Sequence, residues 1–158
     1  MISKAVNAID IFGPHFVFRY GLLTLLHKAY KQTLSKIIKL HHIPIIKIID
    51  INSKEALDKL SELQPDLIIS ITGNQIFKKS LIDLPPLGVL NLHTALLPKY
   101  RGLMPSFWVI KNKEKKTGVS VFFVNQGIDS GPIIVQKELN IKNLTQWELI
   151  RTSKILGM

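Results

Sequence analysis

Asn91 and His93 are the residues whose types and spacing point most directly to chemistry. They lie two apart in Val-Leu-Asn-Leu-His, a short apolar run after the turn signal Pro85-Pro86-Leu87-Gly88, which reads as a buried strand. Side chains alternate along a strand, so both point to one face. An amide is a neutral donor and an imidazole is one that can carry charge. Together they could hold an oxygen on which negative charge develops. The chain leaves the strand through Pro98 and Gly102 and restarts at Pro105, a natural first-turn residue for a helix. A polar pair at a strand end, followed by a long loop, is a common position for an active site in α/β proteins.

The elements that must position this pair follow from the patterning. Residues 4–12 have a weak helical pattern ending at Gly13-Pro14, and residues 16–40 predict one long or two short amphipathic helices studded with lysines. The β-branched run 43–49 predicts a strand. Asn52-Ser53-Lys54-Glu55 predicts a capping box opening a helix to about Leu63, and Pro65-Asp66 breaks it. Residues 67–72 predict a buried strand, with the turn Gly73-Asn74 after it and a short helix over 75–83. After the helix from Pro105 to Lys113 come an alternating strand over 117–124, a loop over 125–131 and a strand over 133–139. Thr145-Gln146-Trp147-Glu148 is a second capping box, opening a last helix. Strands alternating with helices, then pairing as a hairpin, predict an α/β fold: a three-layer, mostly parallel, Rossmann-like sheet with an antiparallel edge. The whole chain reads as one domain, with a basic helical segment over 1–42 and a sheet core over 43–158. No early strand with a glycine turn precedes the helices, so the opening strand is expected to be missing and the chain clipped at its front.

The 158 residues suffice for one core, and 46% hydrophobic with 20% charged residues excludes wholesale disorder. With no cysteine there is no disulfide, thiolate metal site or thiol nucleophile, which fits a reducing cytoplasm. No signal peptide or membrane span is legible, and the paired His41-His42 face different directions and predict no metal site. The net charge of +10 concentrates in residues 1–50 and 99–116. It reads either as attraction for an anionic partner or as a lysine-rich solvated surface. Without aromatic residues interleaved in a basic motif, nucleic acid is not the expected partner.

Asn91-Leu92-His93, the segment from Leu96 through Leu97-Pro98-Lys99-Tyr100-Arg101 to Gly102, Pro105, Thr117-Gly118-Val119 and the segment from Gly127 through Ile128-Asp129-Ser130-Gly131 to Pro132 are together specific. Their order and spacing resemble the folate-dependent formyltransferase family, which includes enzymes acting on methionyl-tRNA, glycinamide ribonucleotide and amino sugars. The resemblance covers about half the chain, from Pro65 to Leu139. It implies transfer of a formyl group from formyl-tetrahydrofolate to a primary amine, with Asn91, His93 and Asp129 as the catalytic trio. Asn91 and a protonated His93 would hold the oxygen, and Asp129 would help remove the proton from the attacking nitrogen. Alone, His93 reads as a core histidine; beside Asn91 and the Asp129 loop it reads as catalytic. The resemblance also implies folate contacts at Asn74, Ile76, Phe77, Leu96, Gly127 and Ile128. Tyr100, Arg101 and Gly102 would meet the acceptor, where Arg101 is either a clamp for an anion or a structural tie for its loop. The acceptor is expected to be a small phosphorylated or nucleotide-linked amine. A non-catalytic folate-binding remnant and a methionyl-tRNA-directed enzyme are the alternatives. The family's usual Pro and Ser stand as Thr94 and Ala95 here, and a usual acidic residue as Asn125. An uncovered sheet edge would favour self-association.

Overall fold

A computed structural model describes residues 8–30 and 34–158 of the chain. It divides into two compact units, residues 1–47 and 48–158, where the sequence reads as a single domain. The boundary falls inside the run 43–49. That run is not the strand its β-branched composition predicts: it forms no ladder, Ile43, Ile45 and Ile46 are exposed, and Ile49 is 98% exposed. Pro44 removes one donor, and isolated extended backbone has nothing to gain from strand geometry without a partner.

In the first unit, residues 8–12 are helical, and Gly13 at φ +85° separates them from α1 (Pro14–Tyr30). α2 (Leu34–Leu40) follows. The part of the helical pattern that falls on residues 4–7, and residues 31–33, lie outside the described residues. Phe16 stacks on Tyr20 with ring centroids 5.7 Å apart, while Phe18, Leu22 and Leu25 form an exposed stripe one to two turns long. α1 thus carries apolar residues on more than one side, where an amphipathic helix would keep a polar face.

The second unit begins with α3 (Lys54–Glu62), whose N-cap is Ser53: its hydroxyl accepts from Ala56 N–H at 3.2 Å. The expected box on Asn52 and Glu55 is not formed, because Asn52 is used elsewhere, as described below. Then come β1 (Ile68–Ile71), α4 (Lys79–Ile82), β2 (Val89–His93), α5 (Pro105–Lys111), β3 (Lys116–Phe123), β4 (Ile133–Asn140) and α6 (Gln146–Leu156). Only four residues of the expected 75–83 helix are helical. α6 keeps its box in full, Thr145 accepting from Glu148 N–H and the Glu148 carboxylate accepting from Thr145 N–H.

The strands form one sheet in the order β1-β2-β3-β4. β1 and β2 are parallel, while β2–β3 and β3–β4 are antiparallel. The α/β class holds, but the described sheet is mixed rather than mostly parallel, since the run 43–49 adds no second parallel pair. β3 does not alternate, as Thr117, Gly118, Val119 and Ser120 are all buried. It lies between two strands, α6 packs on one face, and the loop after β2 covers the other. β1, read as a buried strand, exposes Ile69 and Ile71, and the edge strand β4 exposes Ile133, Ile134 and Val135. The core gathers Val109 of α5, Ile141 just after β4 and Leu149 of α6, with Tyr100, Ile110, Leu139 and Leu144 around them.

Candidate active site

His93 ends β2, with Asn91 two residues before it on the same face. The pairing His93↔Ser120 and Asn91↔Phe122 puts this face beside the inward side of β3. His93 is only 7% exposed, and two oxygens fix its ring. Nε2–H donates to the Tyr100 carbonyl at 2.7 Å. Nδ1 faces Asp129 Oδ2 at 3.4 Å. The first is a full hydrogen bond; the second is an ion-pair distance just beyond hydrogen-bond length. Nε2 therefore anchors the ring, and Nδ1 is the nitrogen free to turn its proton or lone pair toward another atom.

Asp129 reaches His93 from an unexpected direction. Its loop leaves β3 at Phe123, which pairs with Leu90 at the far end of β2 from His93. The loop then folds back over the Asn91 and His93 face. Asn125 shapes the return: its side-chain Oδ1 accepts from Gly127 N–H at 3.0 Å and from the Ser130 hydroxyl at 2.8 Å. Gly131 must be glycine, since a Cβ there would stand 1.7 Å from the Phe123 carbonyl oxygen. Asp129 itself sits at φ +44°, a left-handed conformation that Asp tolerates better than most residues. The loop after β2 closes the arrangement, because Gly102 N–H donates to Asp129 Oδ2 at 2.8 Å. One carboxylate oxygen thus faces both the imidazole and a backbone donor.

The remaining expected residues separate into three groups. The Tyr100 phenol is engaged within the chain, donating to Glu114 Oε1 at 2.7 Å and accepting from Asn112 Nδ2 at 3.1 Å. Burial pushes this phenol up from its ordinary range, Asn112 pulls it down, and the Glu114 carboxylate adds to the rise. It is the carbonyl of Tyr100, not its ring, that meets His93. Arg101 is exposed and has no hydrogen bond or ion pair among the described residues. Asn74, Ile76 and Phe77 lie in the loop that leaves the C-terminal end of β1, the same sheet end at which His93 sits. Among the described residues no hydrogen bond joins that loop to Gly127 or Ile128. Leu96 packs over Gly118.

The sequence did not single out the residues that brace these loops. Gln75 acts as a strand would, donating to the Ile49 carbonyl at 2.8 Å and accepting from Ile51 N–H at 2.9 Å. Asn52 donates to the Ile76 carbonyl at 2.9 Å and accepts from Lys78 N–H at 2.7 Å. Ser120 and Gln136 hold the loop after His93. Isolated polar residues in strands were the only signal available for these last two.

A model of the formyl transferase family matches residues 23–152. The chain is 41% identical over 110 residues, 69% of its length, to the methionyl-tRNA formyltransferase of Clostridioides difficile (strain 630). It is 37% identical over 143 residues, 90% of its length, to that of Kosmotoga olearia. It spans 36% and 45% of the length of these two relatives. Among solved structures it is similar to the phosphoribosylglycinamide formyltransferase of Bacillus halodurans, at 27% identity and a TM-score of 0.69 over 80% of this chain and 71% of that one.

Proposed function

Since the chain belongs to the formyl transferase family, we propose that its second unit transfers a formyl group from a formylated tetrahydrofolate to a primary amine, with Asn91, His93 and Asp129 in the catalytic roles. The observation that carries this is the fixing of His93: its Nε2 is tied to the Tyr100 carbonyl at 2.7 Å and its Nδ1 faces Asp129 at 3.4 Å, with Asn91 on the same strand face.

The loops suit a flat, apolar donor with polar edges. Ile76 is 67% and Ile128 57% exposed, and both belong to loops that border the His93 end of β2 or hold Asp129. Asn74, Phe77, Leu96 and Gly127 would complete that surface. The folate would supply the one-carbon group and take up a proton on the nitrogen that the group leaves. Asn91 Nδ2 donates to the formyl oxygen as negative charge develops there, and His93 Nδ1–H, when protonated, adds a stronger donor. A new C–N bond forms at the acceptor nitrogen, and that nitrogen must lose a proton. Asp129 Oδ2, balanced by Gly102 N–H, is the base placed to receive it. Arg101 would hold an anionic group of the acceptor.

The identity to methionyl-tRNA formyltransferases favours the aminoacyl amine of a charged tRNA as acceptor, and the cytoplasm as the compartment. The likeness to a phosphoribosylglycinamide formyltransferase supports a second reading, a small phosphorylated amine, which is the acceptor the sequence suggested. Calorimetric titration of the folded chain with a reduced folate tests the donor half of the proposal. Saturable binding that survives Asn91→Ala is expected; a folded chain that binds no folate would refute it.

A further inference from the structure

The loop that anchors His93 is itself held by a polar row crossing three strands. His93 of β2 pairs with Ser120 of β3, and Ser120 pairs with Gln136 of β4. Paired residues share a face, so the three side chains stand side by side beneath the loop 94–104. Ser120 is fully buried at 0% exposure, and its hydroxyl donates to the Ala95 carbonyl at 2.6 Å and accepts from Leu97 N–H at 3.0 Å. Gln136 Nε2 donates to Ser120 Oγ at 2.8 Å and to the Leu97 carbonyl at 2.9 Å. Three of these four bonds fall on the first turn of a loop whose later residues deliver the Tyr100 carbonyl to His93 and the Gly102 N–H to Asp129.

A buried hydroxyl with three partners is expensive to arrange and would be replaced by an alanine or valine if the site needed only packing. Gln136 makes the point more sharply. It lies on an edge strand, on the face its pairing with Ser120 sets, and both of its amide bonds go to this cluster. Its removal leaves Ser120 and Leu97 with one partner fewer and frees the loop without emptying the core.

We propose that Ser120 and Gln136 are positioning residues for the reaction. They act through the loop, holding the Tyr100 carbonyl where it fixes the His93 ring and leaves Nδ1 aimed past Asp129. The role rests on the formyl transfer reading, but its structural half can be tested without it.

The test uses the full chain with Gln136→Ala, Gln136→Glu and Ser120→Ala. Gln136→Glu keeps the shape and loses the donated protons. Two readouts are followed beside the melting temperature: the imidazole Nε2–H resonance of His93 by NMR, and kcat and KM for formyl transfer. In folded variants the resonance is expected to broaden or shift. The expected fall in kcat is about 10- to 100-fold, the scale of a small misplacement of a catalytic group, with KM for the folate unchanged. In an active protein, a fall in kcat with the resonance unmoved, or the converse, overturns the proposal. If the parent shows no transfer, the resonance alone decides: a moved signal upholds the positioning role and an unmoved one ends it. If Ser120→Ala does not fold, the two Gln136 variants decide on the same terms.

Discussion

His93 Nδ1 and Asp129 Oδ2 stand 3.4 Å apart, brought together by a loop that doubles back along the length of β2. The imidazole is fixed on its other side by the Tyr100 carbonyl, and the carboxylate by Gly102 N–H. The two residues therefore face each other with little freedom in either ring or carboxylate.

Replacing the charge while keeping the shape should expose the role of that pairing. Asp129→Asn retains an oxygen for Gly102 N–H but cannot take a proton from the attacking nitrogen. Activity is expected to fall about 100-fold or more, the usual scale for removing a general base. Steady-state kinetics on the folded variant would show it; an unchanged kcat would leave Asp129 as no more than a loop residue.

Asn91 offers a cleaner separation of binding from chemistry. Among the described residues its amide has no hydrogen-bond partner, so it supports no other part of the fold. Asn91→Ala should lower kcat by about 100- to 1000-fold, as for loss of one oxyanion donor, and leave folate affinity near that of the parent. Loss of both together would assign Asn91 to binding instead.

Arg101 is exposed and has no ion pair among the described residues. Arg101→Lys keeps the charge and removes the fork that grips phosphate or carboxylate. KM for a phosphorylated acceptor should rise several-fold with kcat unchanged, while a lowered melting temperature with unchanged KM would make Arg101 a tie for its own loop.

The cap of α6 gives a pH test of stability. The Thr145 N–H, and then its hydroxyl, hold the Glu148 carboxyl below its ordinary value of 4.5. A carboxyl lowered in the folded state stabilises above that ordinary value and loses the contribution as pH falls through its folded one. Thermal unfolding of the parent and of Glu148→Ala should therefore differ at pH 7 and converge as pH falls from the ordinary carboxyl value through the lowered folded one. Parallel curves across the range would contradict the cap assignment.

Much of this site was legible in the sequence because its signals are local. Two residues two apart on an apolar strand must share a face, and Asn91 and His93 do. The Thr145 box was legible for the same reason: donor and acceptor lie within one helical turn. Asn52 misled because an Asn before a helix has two good uses, and bracing a distant loop won over capping. The run 43–49 misled because β-branched composition cannot say whether a partner strand exists. Ser120, Gln136 and Gln75 stayed hidden because each bonds backbone far away in the chain, and no periodicity records that.

The most direct test follows an isotopically labelled formyl group from formyl-tetrahydrofolate to methionyl-tRNA, with the full chain and with His93→Ala at equal folded concentration. The parent should yield labelled formyl-methionyl-tRNA and the variant almost none. Equal label in both products would contradict the place given to His93, and a folded, folate-binding parent that transfers nothing to this acceptor or to small phosphorylated amines would contradict the transferase itself.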